Sequence, residues 1–490
     1  MATFNPDHYP DVFGQLPRLK TYTHYLLAFP IREEQSPSKI VQRLHEAAKT
    51  LVDAFPWLAC RVIHENAGPG NSGVFRLEEC AEFAFPNSIL HFKDCTSLCP
   101  SYQELIAAKG PTTMLDSKHF GPLRGFPHIY SDDEVNPAPV FTLRANLIEG
   151  GLLLDFVAQH NIIDGSGILR LIEYLAKTLR DEPFTREEIL HGNRDRTNLV
   201  ELLPPGEPMV DHSHLIREAL PAKPITTPTT GFNPIWDLLP AWLQNLFYSP
   251  SIPPTVPSPA APGSQAKWHF VRLPPSTISH LKVLANSSFP SSSGLFVSTN
   301  DAISGYLWQS ISAVRLARRQ TPSSLCKFSR ALDARRALGI PREYLGQLGY
   351  NATCHLTFSQ LQSMSLGEVA LHLRQATQKV NNEHAVRSFA TLVAKEKDKS
   401  KIFFGGAFDP DKDLGMSSVI HASVAGCDFG KGLGKPGLVR RPLFAPLEGC
   451  VYLWNMTEEG EVDVLMCLKE VDWEGLAGLE GWKGMVEFIG

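Results

Sequence analysis

Hydrophobic and polar positions recur along the chain at two periods, and their order predicts a mixed α/β protein. In "SPSKIVQRLHEAAKTLVDAFPWLACRVI" the apolar residues Ile40, Leu44, Ala47, Ala48, Leu51 and Phe55 fall at helical spacing. Ser36 to Ser38 mark the start of that helix and Pro56 its stop. "PVFTLRANLIEGGLLLDFVAQH" predicts two buried strands around the turn "EGG", where Gly150 and Gly151 give the backbone room to reverse. The second strand, "LLLDFVA", runs into "QHNIIDGSG". Beyond it Ile168, Leu169, Ile172, Leu175, Ala176 and Leu179 share one helical face, so the local order is strand, short turn, helix.

Between residues 203 and 265 the pattern lapses and prolines crowd "LLPPGEPMV", "LPAKPITTPTTGFNP" and "SPSIPPTVPSPAAPGSQAK", a composition that suits a crossover between domains. Within it "IWDLLPAWLQNLFY" is apolar enough to dock on a surface. Periodicity resumes at "AKWHFVRLP". "TNDAISGYLWQSISAVRLARR" predicts a helix with Asn300 or Asp301 near the cap and Ile303, Leu307, Ile311 and Val314 in register. "GCVYLWNMTEEGEVDVLMCLK" predicts a closing hairpin that turns at "EEGE". A chain of 490 residues exceeds what one core serves. The expected division is 1–202, a crossover at 203–265, and 266–490.

Composition narrows the function classes. The formal net charge is -5 and the basic residues are spread out, which excludes a broad field for a polyanion such as nucleic acid. "MATFNPDHYPDVFGQLP" carries charge and proline where a signal peptide needs an apolar core, and no window offers about 18 uninterrupted apolar residues. A soluble cytoplasmic protein, away from membranes, is expected, and the sequons at Asn286, Asn351 and Asn455 are read as chance matches. Nine cysteines without a C-x-x-C pair indicate neither a disulfide framework nor a zinc knuckle.

Candidate chemistry centres on His160. Its neutral imidazole, with an ordinary pKa of about 6.5, accepts a proton near neutral pH. At the end of a buried strand it is held rigidly. Asp164, four positions on, can organise the loop, and Gly165 lets the backbone turn, while Gly165, Ser166 and Gly167 leave a mouth of small residues. H-x-x-x-D alone is more often the pattern of a structural histidine in a turn than of a catalyst. Other chemistries find less support: no H-E-x-x-H for zinc and no G-x-S-x-G around Ser166. "GLGKPG" matches G-x-G-x-x-G, but Pro436 opposes a helix start there.

A second segment, "CDFGKGLGKPGLVRRPLFAPLEGCVYLW", places D-F-G-x-G (Asp428, Phe429, Gly430, Gly432) about 260 residues after H-x-x-x-D-G. That pair, in that order, resembles the signature of the BAHD acyltransferase superfamily, and "GLGKP" followed by "RRP" is most similar to the fungal branch that includes trichothecene 3-O-acetyltransferases. "FPWLACRV", "STNDAISGYLWQS", "ALDARRAL" and "YLGQLGY" extend the resemblance over nearly the whole chain. It implies a monomer of two α/β domains, each like chloramphenicol acetyltransferase, with an active-site channel at their interface. It also implies an acyl-coenzyme A dependent O-acyltransferase, with acetyl-coenzyme A as co-substrate, no bound cofactor or metal, and a hydroxylated fungal secondary metabolite as acceptor.

In that family's scheme His160 deprotonates the acceptor hydroxyl for direct attack on the thioester, with no covalent acyl-enzyme. Asp164 pairs with an arginine to orient the loop, and the Asp428 segment is structural. Ser417, aligned with the first residue of the family's T-S-W, is the oxyanion donor, although Val419 replaces the tryptophan. Ser298, Thr299 and Arg335 stand where coenzyme A contacts are expected. Ser298 and Thr299 are equally readable as helix caps, and Arg335 as the partner of a carboxylate. Gln347, Lys431 and Cys60 depart from the family's asparagine, tryptophan and glycine. One rival is a condensation-type catalyst fed by a carrier-protein thioester, whose motif is H-H-x-x-x-D-G; Gln159 in the first histidine's place favours coenzyme A. Another is a catalytically silent binding protein on the same scaffold.

Overall fold

The apolar run before His160 is apolar because both of its faces are covered. In the structure, a computed structural model that describes residues 5–32, 34–216, 265–318, 321–422 and 424–490, it forms the strand Gly151–Gln159, buried at every position. The strands in chain order are β1 (Tyr22–Pro30), β2 (Cys60–Gly68), β3 (Asn71–Glu79), β4 (Leu90–Asp94), β5 (Phe141–Ile148), β6 (Gly151–Gln159) and β7 (Ala266–Leu273). There follow β8 (Leu325–Asp333), β9 (Gly349–Thr357), β10 (Leu414–Ser418), β11 (Leu438–Arg440), β12 (Cys450–Met456), β13 (Val462–Lys469) and β14 (Glu487–Phe488).

The first sheet has the order β11-β1-β6-β5-β4. β5 and β6 form the hairpin read from the sequence, with Gly150 in the left-handed region at φ +67. The helices Pro37–Ala54 and Gly165–Leu179 pack on this sheet through the apolar positions that the periodicity marked. The second sheet has the order β14-β7-β13-β12-β10-β8-β9. Side chains alternate across a strand, so Val451 and Leu453 of β12 enter a core with the helices Pro275–Ser287, Thr299–Arg318 and Leu366–Val380. Tyr452 and Trp454 instead turn to the core of the first sheet. The "EEGE" hairpin joins β12 to β13, with Gly460 at φ +81.

β11 crosses the division expected at residue 266. It completes the first sheet by pairing with β1, Leu26↔Arg440 and Ala28↔Leu438, although its neighbours in sequence serve the second. Arg440 is buried, and its Nη1 pairs with Asp463 on β13 at 2.8 Å while Nε donates to the Gly110 carbonyl at 3.0 Å. A buried arginine is tolerable only with such partners, so the pairing ties sheet to sheet. Of the Pro-rich stretch, residues 203–216 lie along the helix Glu383–Lys395, where Leu203 N–H donates to Thr391 Oγ1 at 2.8 Å and Val210 N–H to Ser388 Oγ at 2.9 Å. Residues 217–264, with "IWDLLPAWLQNLFY", fall outside the described residues. Among the described residues no helix is long and apolar enough to cross a membrane.

Candidate active site

His160 extends the β1–β6 ladder by one pair, its N–H donating to the Thr21 carbonyl at 2.8 Å next to Tyr22↔Gln159. Directly opposed residues of antiparallel strands share a face. The His160 ring therefore stands on the face of Thr21, with Thr23 and Tyr25 following along β1. Gln159 faces the other way, where its amide donates to the Tyr130 hydroxyl at 3.2 Å and to Asn161 Oδ1 at 2.8 Å. Its side chain thus serves the packing behind the strand. The Nδ1 of His160 is sealed from solvent and faces no group but its own backbone carbonyl, which leaves Nε2 as the nitrogen a substrate can reach. Burial pulls this imidazole below its ordinary pKa, opposed by its own backbone carbonyl and then by the charge of Asp164. The ring is neutral, and able to take a proton, at neutral pH.

The loop that carries His160 is clamped at Asp164, the N-cap of the helix Gly165–Leu179. Oδ1 accepts from Gly167 N–H at 2.8 Å and Oδ2 from Leu348 N–H at 2.9 Å. Arg335 closes a bidentate pair from the other half of the chain, Nη1 to Oδ2 at 2.8 Å and Nη2 to Oδ1 at 3.0 Å. Arg335 also donates from Nε to Tyr344 O (3.0 Å), from Nη1 to Asp333 Oδ1 (2.9 Å) and from Nη2 to Gly346 O (2.7 Å). Its five N–H groups are all engaged, so Arg335 has nothing left for coenzyme A and is the carboxylate's partner, the second of its two expected roles.

The glycines divide differently from expectation. A side chain at Gly165 would meet nothing within 4 Å, so no turn requirement holds glycine there, and space opens at the helix start. The constraint falls on Gly167, where a Cβ would lie 2.3 Å from the Leu345 carbonyl oxygen. The segment that docks on Asp164 leaves no room for a methyl group.

The D-F-G segment lies at the opposite end of the same helix. Fifteen residues at the usual rise span about 22 Å. There the Asp428 carbonyl accepts from the Arg180 guanidinium, Asp428 Oδ1 accepts from Gly430 N–H at 2.9 Å, and the Phe429 ring packs 4.8 Å from that of Phe29. Gly430 is left-handed at φ +79. Gly432 offers its carbonyl to Gln35 Nε2 at 2.9 Å. These contacts build a packed corner.

Ser417 on β10 is paired with Tyr452 on β12, hence on the face turned to the first sheet. It is half-buried and its hydroxyl carries no hydrogen bond among the described residues. Ser418 points the other way, accepting from Asn300 Nδ2 at 3.0 Å. Ser298 is a helix cap: its hydroxyl accepts from Asp301 N–H at 3.1 Å and donates to Asp301 Oδ2 at 2.7 Å. The cap is thus Ser298, two residues earlier than Asn300, and the capping geometry occupies the hydroxyl expected at coenzyme A. Thr299 begins the helix. Beyond the Ser166–Asp333 contact (2.6 Å) a cleft of about 380 Å³ opens, lined by Asp333, Arg335, Arg336, Ile340, Arg342 and Asn381. Its exposed arginines, Arg336 and Arg342, suit a phosphate-bearing ligand.

Sequence patterning passed over the face of β1 between the sheets. Thr23 is half-exposed in a strand otherwise buried through Phe29, and the Tyr25 ring meets Trp454 edge-on at 5.0 Å. The available signal was the pair of threonines at 21 and 23 heading a run that is apolar afterwards.

Residues 21–178 match the family model described as trichothecene 3-O-acetyltransferase-like N-terminal domain, and residues 261–478 match that of the transferase family. The chain is 42% identical to the O-acyltransferase pigD of Monascus ruber, covering 99% of this chain and 100% of that protein. It is 37% identical to the O-acetyltransferase azaD of Aspergillus niger, covering both in full. Among solved structures, TRI101 of F. sporotrichioides complexed with coenzyme A and T-2 superposes with a TM-score of 0.83 at 30% identity, over 98% of this chain and 99% of that one. With this coverage on both sides, and a reachable neutral histidine between two sheets, the chain belongs to the trichothecene 3-O-acetyltransferase-like family of acyltransferases.

Proposed function

We propose that this protein transfers an acetyl group from acetyl-coenzyme A to a hydroxyl of a fungal secondary metabolite, a terpenoid, alkaloid or polyketide, with His160 as general base. The observation that carries this is the reachable Nε2 of a neutral imidazole whose loop is clamped by Asp164 and Arg335. Nε2 takes the acceptor's proton as its oxygen attacks the thioester carbonyl. The C–S bond breaks, and the imidazolium returns the proton to the departing thiolate. Ser417 donates to the carbonyl oxygen as it gains charge, and positioning both substrates at once removes much of the entropic barrier. Thr299 and the arginine-lined cleft are the contacts offered to coenzyme A. The working unit is a cytoplasmic monomer of residues 1–202 and 266–490, joined by the 203–265 crossover.

The test is thiol release from acetyl-coenzyme A over a panel of hydroxylated terpenoids, alkaloids and polyketides. His160→Ala should lower kcat about 100- to 10,000-fold, and turnover that survives the substitution rejects the general base.

A further inference from the structure

The loop that follows His160 is held at a second place, by residues remote in sequence from Arg335. Asn161 is fully buried, and its Nδ2 donates to the Gly14 carbonyl and, at 3.0 Å, to the Leu16 carbonyl. Its Oδ1 accepts from Gln159 Nε2 at 2.8 Å. One residue on, the Ile162 carbonyl accepts from Arg196 Nη1 at 2.9 Å. Arg196 is 1% exposed, and its guanidinium lies against the rings of Trp57, Tyr9 and Tyr344, with centroids at 4.4, 5.2 and 5.4 Å. Asp11 supplies a counter-charge: its Oδ2 lies 4.0 Å from Nη1, while its Oδ1 accepts from Gly14 N–H at 2.7 Å.

These partners are themselves fastened. Arg196 N–H donates to the His8 carbonyl at 2.7 Å. Gln15 exchanges side-chain hydrogen bonds with Phe75 of β3, donating to its carbonyl at 3.2 Å and accepting from its N–H at 2.9 Å. The Nδ1 of His160 faces the carbonyl of its own residue, and that carbonyl belongs to the planar peptide that ends at the Asn161 nitrogen. Anchoring the Asn161 side chain and the Ile162 carbonyl therefore fixes this peptide from its far side. A proton on Nδ1, directed at the carbonyl, leaves the lone pair on Nε2, the tautomer a base needs. Misplacing a reacting group by about 1 Å costs about 100-fold in rate, so these anchors have leverage on turnover.

We propose that Asn161 and Arg196 are positioning residues for His160: together they set the peptide that leaves the histidine, and so the aim of Nε2 at the acceptor hydroxyl. The assignment rests on His160 as the general base. It adds to the Asp164–Arg335 pair, which grips the same loop at its far end. Both arginines lie 5.4 Å from the Tyr344 ring centroid, so the two anchors share one wall.

The test is a double-mutant cycle with His160→Ala. Thiol release from acetyl-coenzyme A is followed with the fastest acceptor of the panel and, without acceptor, with water as the nucleophile, at equal concentrations of folded protein. Arg196→Met and Asn161→Ala should each lower kcat about 10- to 100-fold and leave KM for acetyl-coenzyme A unchanged. Arg196→Lys, which keeps a donor for the Ile162 carbonyl, should recover part of the loss. Added to His160→Ala, the same substitutions should change the residual rate less than about twofold, because both residues act through the imidazole. Three results overturn the proposal: an unchanged kcat in either folded variant, an equal loss in the His160→Ala background, or a loss that falls on KM for acetyl-coenzyme A instead. Should Arg196→Met or Asn161→Ala not fold, Arg196→Lys and Asn161→Ser take their places in the cycle. His160→Ala alone tests the general base. If it keeps full turnover, or if no rate is found with acceptor or water, that reading fails and this one with it; a slow His160→Ala beside fast Asn161 and Arg196 variants defeats this proposal alone.

Discussion

A single histidine carries the proposed chemistry, and its surroundings set the pH at which it works. Burial lowers the His160 pKa, so the neutral base persists below pH 6.5. The acid limb of kcat/KM for acetyl transfer should therefore lie below the ordinary histidine value of about 6.5. The same shift acts on folding with a definite sign. Above the unfolded value both states are neutral; as pH falls through it the unfolded chain binds the proton first, and stability declines toward the lower folded value. The neighbouring glycines make a paired prediction. Gly165→Ala meets open space and should leave the free energy of urea unfolding within about 0.5 kcal/mol of wild type. Gly167→Ala must push a methyl group against the Leu345 carbonyl and should cost about 1–3 kcal/mol or more, with loss of activity because the displaced segment also holds Asp164.

At the scale of elements, the helix Gly165–Leu179 works as a strut. One end is capped by Asp164 beside His160, and the other is pinned to the D-F-G corner through Arg180. The strut connects two motifs about 260 residues apart in sequence, of which only one lies beside His160. Arg335 completes the capped end from the opposite half. Arg335→Ala leaves the Asp164 carboxylate buried with half its partners and should cost about 3–5 kcal/mol in urea unfolding. In the folded fraction kcat should fall while KM for acetyl-coenzyme A changes little, because the histidine loop moves and the arginine-lined cleft keeps Arg336 and Arg342. Arg335→Lys should not rescue it, since an ammonium cannot span both carboxylate oxygens.

At the scale of the molecule, the two sheets are interlocked rather than hinged. β11 leaves the second half to close the edge of the first sheet, Arg440 bonds Asp463 across the gap, and Asp164 bonds Arg335. Buried ion pairs at two points, with Tyr25 packed on Trp454 between the sheets, couple a first-sheet core that draws residues from both halves to the core of the second sheet. Scanning calorimetry should show one unfolding transition. Arg440→Ala should lower its midpoint without splitting it; two separated transitions would mean that the halves are autonomous.

Local rules made much of this legible in advance. The helix Pro37–Ala54, the hairpins at Gly150 and Gly460, the strand–turn–helix around His160 and the pairing of Asp164 with an arginine all follow from periods and turn chemistry within a few residues, or from a motif that marks them. The position of β11, the bidentate closure of Arg335 on Asp164, and the need for glycine at 167 rather than 165 were not legible. Each depends on atoms that meet across more than 150 residues of chain. Hydrophobic periodicity decides which face of an element is buried, because that face is written at spacings of two and 3.6 residues. Only the tertiary structure decides what that face is buried against, and so which polar group is left open to a substrate.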